Sequence, residues 1–168
     1  MNSKFLTILT LIIAIVALVV SIAALNKAGG RPDVQRSIES FKSEIKPTIT
    51  ELKEIGDKIA TTGTKSTAQV KTRLELAEAK VHLVIAKMNI VLENNYNKAG
   101  EELKKAAANF KKARSEASKE IKAKITKLET KLVKVQQDVK NKSSQAADEL
   151  ADLIKGTEET DKSAKEKP

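Results

Sequence analysis

Cysteine and tryptophan are absent from this chain, and histidine occurs once, as His82. Without thiols there can be no disulfide, no thiolate metal site and no cysteine nucleophile, and the redox compartment stays open. A histidine-based metal centre or catalytic base would rest on His82 alone, which falls between apolar rows on a polar side and reads as a solvated side chain. Aromatic residues make up 2% of the sequence, too few for a thick core filled by rings, so thin helical packing suits the composition better. Arginine is scarce as well. Only four of the 31 basic residues are Arg, so the formal charge of +9 is carried by lysine, a solvated point charge rather than a fork that grips an anion at two points.

What is present begins with a long apolar run. FLTILTLIIAIVALVVSIAAL, Phe5 to Leu25, has 21 residues without a charge, 14 of them Leu, Ile, Val or Phe. As a helix it would reach roughly 30 Å, the thickness of a bilayer's hydrocarbon core. Its large apolar side chains would contribute roughly −4 to −8 kcal/mol to insertion. The run therefore predicts a single-pass membrane protein: a tail over 1–4, a transmembrane helix over 5–25 and a linker over 26–32, with the side of the membrane left open. The alternative is an exported protein whose signal peptide is cleaved after Ala23, since Ser21-Ile22-Ala23 supplies small residues at a suitable place.

The body expected after the linker is all-α, an antiparallel coiled coil resembling a three-helix bundle with one extra-long helix, spanning 33–155. Asp33 can cap a first helix over 33–60, whose stripe Val34, Ile38, Phe41, Ile45, Ile49, Leu52, Ile55 and Ile59 steps by three and four. Pro47 should bend or split it. TTGTKST, Thr61 to Thr67, lacks the adjacent Gly-Lys of a phosphate loop and reads as a linker ending in a Ser66 or Thr67 cap.

A second helix over 67–93 carries the heptad Val70, Leu74, Ala77, Val81, Val84, Met88, Val91, with Leu76, Leu83 and Ile90 widening it, so it should touch more than one neighbour. NNYNKAG, Asn94 to Gly100, reads as a turn. A third helix over 101–141 would run about 60 Å and overhang the others by roughly 20 Å. Its phase breaks where Ala113, Ala117, Ile121 and Ile125 follow at successive steps of four, a stutter that unwinds a supercoil. The overhang would be covered by a bend there, by a short helix over 144–155, or by a second copy of the chain. Gly156 reads as a helix stop and 156–168 as a disordered charged tail.

Positive charge concentrates in the third helix, where Glu101 to Lys142 holds 13 basic and six acidic residues, a net of +7. At 100° per residue Lys104, Lys105, Lys111, Lys112, Lys119 and Lys122 form one face, a candidate contact for an anionic lipid or polymer surface. Nucleic acid fits it poorly, because stacking rings and arginine are missing. No catalytic, cofactor or metal site is expected. The partners expected are the lipid bilayer and a second copy of the chain or another helical protein. Asn141-Lys142-Ser143 matches a glycosylation pattern, which matters only in a glycosylating compartment. The role implied is structural, scaffolding or tethering on a membrane. The alternative is an exported protein that binds polyanions or client proteins through its lysine face.

Overall fold

A computed structural model describes Thr10, Ala17 and residues 32–62 and 67–166. Among these are five helices and no strand: α1 Pro32–Thr62, α2 Ala68–Val91, α3 Tyr96–Glu116, α4 Lys119–Lys140 and α5 Ala146–Glu166. The chain divides into two compact units, Met1–Lys65 and Ser66–Pro168.

In the first unit α1 opens on Pro32, whose fixed φ suits a first helical position. Its buried row is Ile38, Phe41, Ile45, Thr48, Leu52, Ile55 and Ile59, alternating steps of three and four throughout. Thr48 takes the place expected for Ile49, and its hydroxyl donates to Glu44 O at 3.4 Å, which lets it be buried. Pro47 does not split the helix: it sits on the exposed side of an unbroken α1.

The expected single-pass membrane placement is corrected. Among the described residues no helix is long and apolar enough to cross a membrane. Even α2, the most apolar, places Lys71, Arg73, Glu75, Glu78, Lys80 and Lys87 along its length. The run 5–25 and the cleavage position after Ala23 lie, apart from Thr10 and Ala17, outside the described residues.

The second unit is a four-helix bundle of helices 21 to 24 residues long, about 32–36 Å each. α2 packs on α3 and α5, and α4 packs on the same two, closing a ring. Neighbours are antiparallel: Lys71 at the start of α2 meets Glu116 at the end of α3, and Gln69 donates to Ala164 O near the end of α5. α2 thus has the two neighbours its widened apolar face requires.

The expected extra-long helix is two. Ala117 leaves the helical region (φ −75°, ψ 154°) and α4 restarts after Ser118. The apolar phase explains the break. Ala99, Leu103, Ala106, Phe110 and Ala113 keep one heptad in α3, and Ile121, Ile125, Leu128, Leu132, Val135 and Val139 keep another in α4. The intervening steps of four rotate the stripe, so a straight rod could not bury both rows. A reversal buries both, and the expected overhang, with the argument for self-association that rested on it, disappears.

Two boundaries also move. α3 starts at Tyr96 because Asn95 caps it, accepting from Lys98 N at 3.1 Å, and Gly100 lies inside the helix. α5 runs through Gly156 to Glu166, so the expected disordered tail is helical over 156–166. Its inner face continues beyond Leu153 and Ile154 as Thr157, Thr160, Asp161 and Ala164. Thr157 and Thr160 donate to Leu153 O and Gly156 O, each at 2.8 Å, which satisfies the buried hydroxyls.

The two helical glycines of the second unit differ. A Cβ at Gly156 would lie 2.9 Å from Leu128 Cδ2, whereas at Gly100 it would meet nothing within 4 Å. We expect Gly156→Leu to destabilise the bundle by roughly 1–3 kcal/mol through overpacking. Gly100→Ala should stabilise it by about 0.5–1 kcal/mol, both read from urea denaturation midpoints.

Candidate anion-binding surface

The six lysines expected on one helix face are divided by the Ala117–Ser118 turn. Lys104, Lys105, Lys111 and Lys112 belong to α3, Lys119 and Lys122 to α4. All six are exposed, but their surroundings differ. Lys105 pairs with Glu102 at 2.5 Å and Lys112 with Glu75 of α2 at 3.7 Å. Among the described residues, Lys104, Lys111, Lys119 and Lys122 have no carboxylate within 4.0 Å. The sequence pattern missed Lys127, Lys131, Lys140 and Lys142, which are exposed and equally without such a partner. Lys127, Lys131 and Lys142 lie outside the helical arc that a single straight rod would define, whereas Lys140 lies within it, in line with Lys104 and Lys122.

Many acids of the bundle are engaged at helix–helix seams. A ladder along α2 and α3 joins Lys71 to Glu116 (3.8 Å), Glu75 to Lys112 (3.7 Å), Glu78 to Asn109 (3.3 Å) and His82 to Glu102 (2.6 Å). His82 is therefore not the solvated side chain expected: its ring N–H donates to the Glu102 carboxylate. Burial pushes the Glu102 carboxyl up, but hydrogen bonds from His82 and Lys105 outweigh it and hold it below the ordinary range. Burial and the adjacent Glu75 raise Glu78, with Lys112 and His82 countering.

Between α2 and α5 the pairing is buried. Arg73 and Asp161, 3% and 4% exposed, form a fork: Nε donates to Oδ1 at 3.1 Å and Nη2 to Oδ2 at 3.3 Å. Lys80, 2% exposed, reaches Glu158 at 3.5 Å, and Glu158 also holds Lys162 at 2.9 Å. Burial raises the Asp161 carboxyl, with the Arg73 guanidinium pulling the other way. Arg73 and Lys80, seven residues apart on an apolar helix, were the available signal that a carboxylate-bearing helix packs there.

Two depressions meet at the end of the bundle that carries the α2–α3 and α4–α5 turns. One, an open groove of about 720 Å³ between the start of α3 and the end of α4, is lined by Asn97, Gly100, Lys104, Gln136, Lys140 and Lys142 among others. The other, of about 210 Å³, follows Asn94 to Asn97 and shares Tyr96, Asn97 and Lys142 with it. At the opposite end a depression of about 240 Å³ beneath the α3–α4 turn is lined by Thr72, Glu116, Ala117 and Ser118 and has no lysine. Among the described residues no three His, Asp or Glu side chains group as a metal-holding cluster. No family model, curated protein or solved structure matches the chain.

Two predictions follow from the pairing. Arg73→Met should destabilise the bundle by about 3–5 kcal/mol, because Asp161 would stay buried without its guanidinium. Arg73→Met with Asp161→Leu should recover most of that loss, and denaturant midpoints of the two variants and the wild type decide it. Glu102, held below its ordinary 4.5, contributes stability that is present above pH 4.5 and lost as pH falls through the lower folded value. Glu102→Gln should therefore be less stable than wild type at pH 7, with the gap closing on acidification in a pH series of thermal melts.

Proposed function

We propose that the chain is a non-catalytic scaffold that holds a linear polyanion along the outer surface of α3 and α4. One observation carries this: eight exposed lysines on two adjacent helices and the turn after them, none with a carboxylate within reach among the described residues. Residues 96–142 hold 14 basic and six acidic residues, a net of +8, whereas 146–166 hold three and seven, a net of −4. A field of one sign on one side of a small bundle attracts an extended chain of the opposite sign.

The chemistry of the surface favours loose contact. Lysine ammonium groups on flexible stems follow a polymer without a fixed geometry, and the gain comes chiefly from releasing the polymer's counterions. The absence of cysteine and the engagement of the single histidine with Glu102 support a binding role over a catalytic one. The reading keeps a scaffolding role and drops the membrane placement.

Dextran sulfate binding, followed by fluorescence anisotropy, tests it. Affinity should fall steeply between about 50 and about 200 mM salt. The triple variant Lys111→Glu, Lys119→Glu, Lys122→Glu should bind at least about tenfold more weakly with a shallower salt slope. Lys42→Glu, Lys46→Glu, Lys53→Glu changes the net charge equally at exposed positions of α1 and should have a much smaller effect. Equal losses in the two triples would reduce the interaction to net charge and overturn the proposal.

A further inference from the structure

We infer that the groove between the start of α3 and the end of α4 is a binding site for an oligophosphate, a ligand carrying two or more linked phosphates. The inference rests on the polyanion reading and names the chemistry that the groove in that surface takes.

Three cations from three elements converge on the groove: Lys104 of α3, Lys140 in the last turn of α4 and Lys142 in the turn that follows. Among the described residues none of the three has a carboxylate within 4.0 Å. The one acid on the lining is Glu101, so the lining carries a net of +2. The first turn of α3, at the same end, contains no acidic side chain to offset the positive end of the helix.

Two backbone features at the groove have no packing explanation. Lys142 has φ 53°, in the left-handed region where glycine or asparagine ordinarily ends a helix. The turn is a Schellman pair, with Lys142 N donating to Val139 O at 3.1 Å and Ser143 N to Asp138 O at 2.8 Å. Lysine in that position is a strained choice on an exposed residue. Gly100 lowers the stability of α3, yet a Cβ there would touch nothing within 4 Å. It leaves bare helix backbone on the groove, which is what a close-lying ligand requires.

The residue types select the ligand. The groove contains lysine and no arginine, so it acts on an anion as a set of point charges, and its grip scales with the ligand's charge density, which is higher on linked phosphates than on a tricarboxylate such as citrate. Cations supplied by three separate elements suit several linked phosphates better than one. The side-chain amides of Asn97 and Gln136 offer neutral donors; that of Gln136 otherwise reaches Leu103 O at the long distance of 3.5 Å. The phosphates could belong to a free oligophosphate chain or to a nucleotide, whose base would stack on the Tyr96 ring at the junction of the two depressions.

Calorimetric titration of the full chain with tripolyphosphate, citrate and ATP, alongside dextran sulfate, tests the site. Tripolyphosphate should bind, and citrate should bind at least about tenfold more weakly. Gly100→Leu, which fills the groove without changing charge, and Lys142→Gly should each weaken tripolyphosphate about tenfold or more while leaving dextran sulfate within about twofold. Lys142→Gly should also raise the melting temperature, so its loss of binding cannot come from unfolding. ATP binding tighter than tripolyphosphate, with the advantage removed by Tyr96→Leu, would assign a nucleotide; equal binding would assign a free oligophosphate. Absent tripolyphosphate binding, equal binding of citrate, or binding untouched by Gly100→Leu and Lys142→Gly would overturn the inference. Dextran sulfate binding in the same samples shows whether the broader polyanion reading stands without it.

Discussion

The buried cations of α2 set where α5 must lie. Arg73 and Lys80 point into a region 2–3% exposed, where an ionised group without a counter-charge is very costly. Asp161 and Glu158 meet them at one spacing along α5, which fixes its direction and register at once. The hydrophobic gain of docking α5 comes from Leu150, Leu153 and Ile154, and a slip of one turn would keep much of it. The same slip would separate both charge pairs. Apolar burial thus holds α5 on the bundle, while the ion pairs choose its place.

That division explains which parts of the fold were legible in the sequence. Rows that bury apolar side chains at steps of three and four were readable: the stripes of α1 and α2, and the two heptads around the stutter at Ala113 to Ile125. The stutter itself was visible, but its consequence was not, because a gentle unwinding and a full reversal begin from the same spacing. Ala117 and Ser118 carry no glycine or proline to mark a turn. The second half of α5 was hidden for a different reason. Its inner face is Thr157, Thr160, Asp161 and Ala164, polar or small by composition, and becomes a core face only because the hydroxyls bond back to the helix and Asp161 has Arg73 opposite. Gly156 looked like a stop because its purpose, room for Leu128, lies 28 residues away on another helix.

The candidate surface was partly legible for related reasons. Lysine excess over 101–142 is a property of composition and was plain. Which lysines stay uncommitted depends on where the acids go, and that is a tertiary property. Glu75 and Glu102 face the α2–α3 ladder and take up Lys112 and Lys105, while Glu149 of α5 takes Lys134 of α4. Asp161 and Glu158 are turned to the buried cations. The remaining lysines lie outward on α3 and α4, while many of the bundle's carboxylates are held at helix–helix seams and Glu120 is taken up by Lys124 of its own helix.

Local rules and global structure agree through most of the bundle, and the exceptions separate into two kinds. Asn94 has φ 50°, but asparagine tolerates that region, so the α2–α3 turn has an ordinary explanation. Gly156 weakens α5, but the side chain packed against it accounts for the absence of a Cβ. Gly100 and Lys142 have no such account: one weakens a helix in open space, the other strains a turn that glycine would relieve. Both line the same groove, although they lie 42 residues apart in sequence. Folding alone gives no reason for two unfavourable choices to meet at one depression, whereas a ligand that needs bare backbone on one side and a cation on the other gives a reason for both.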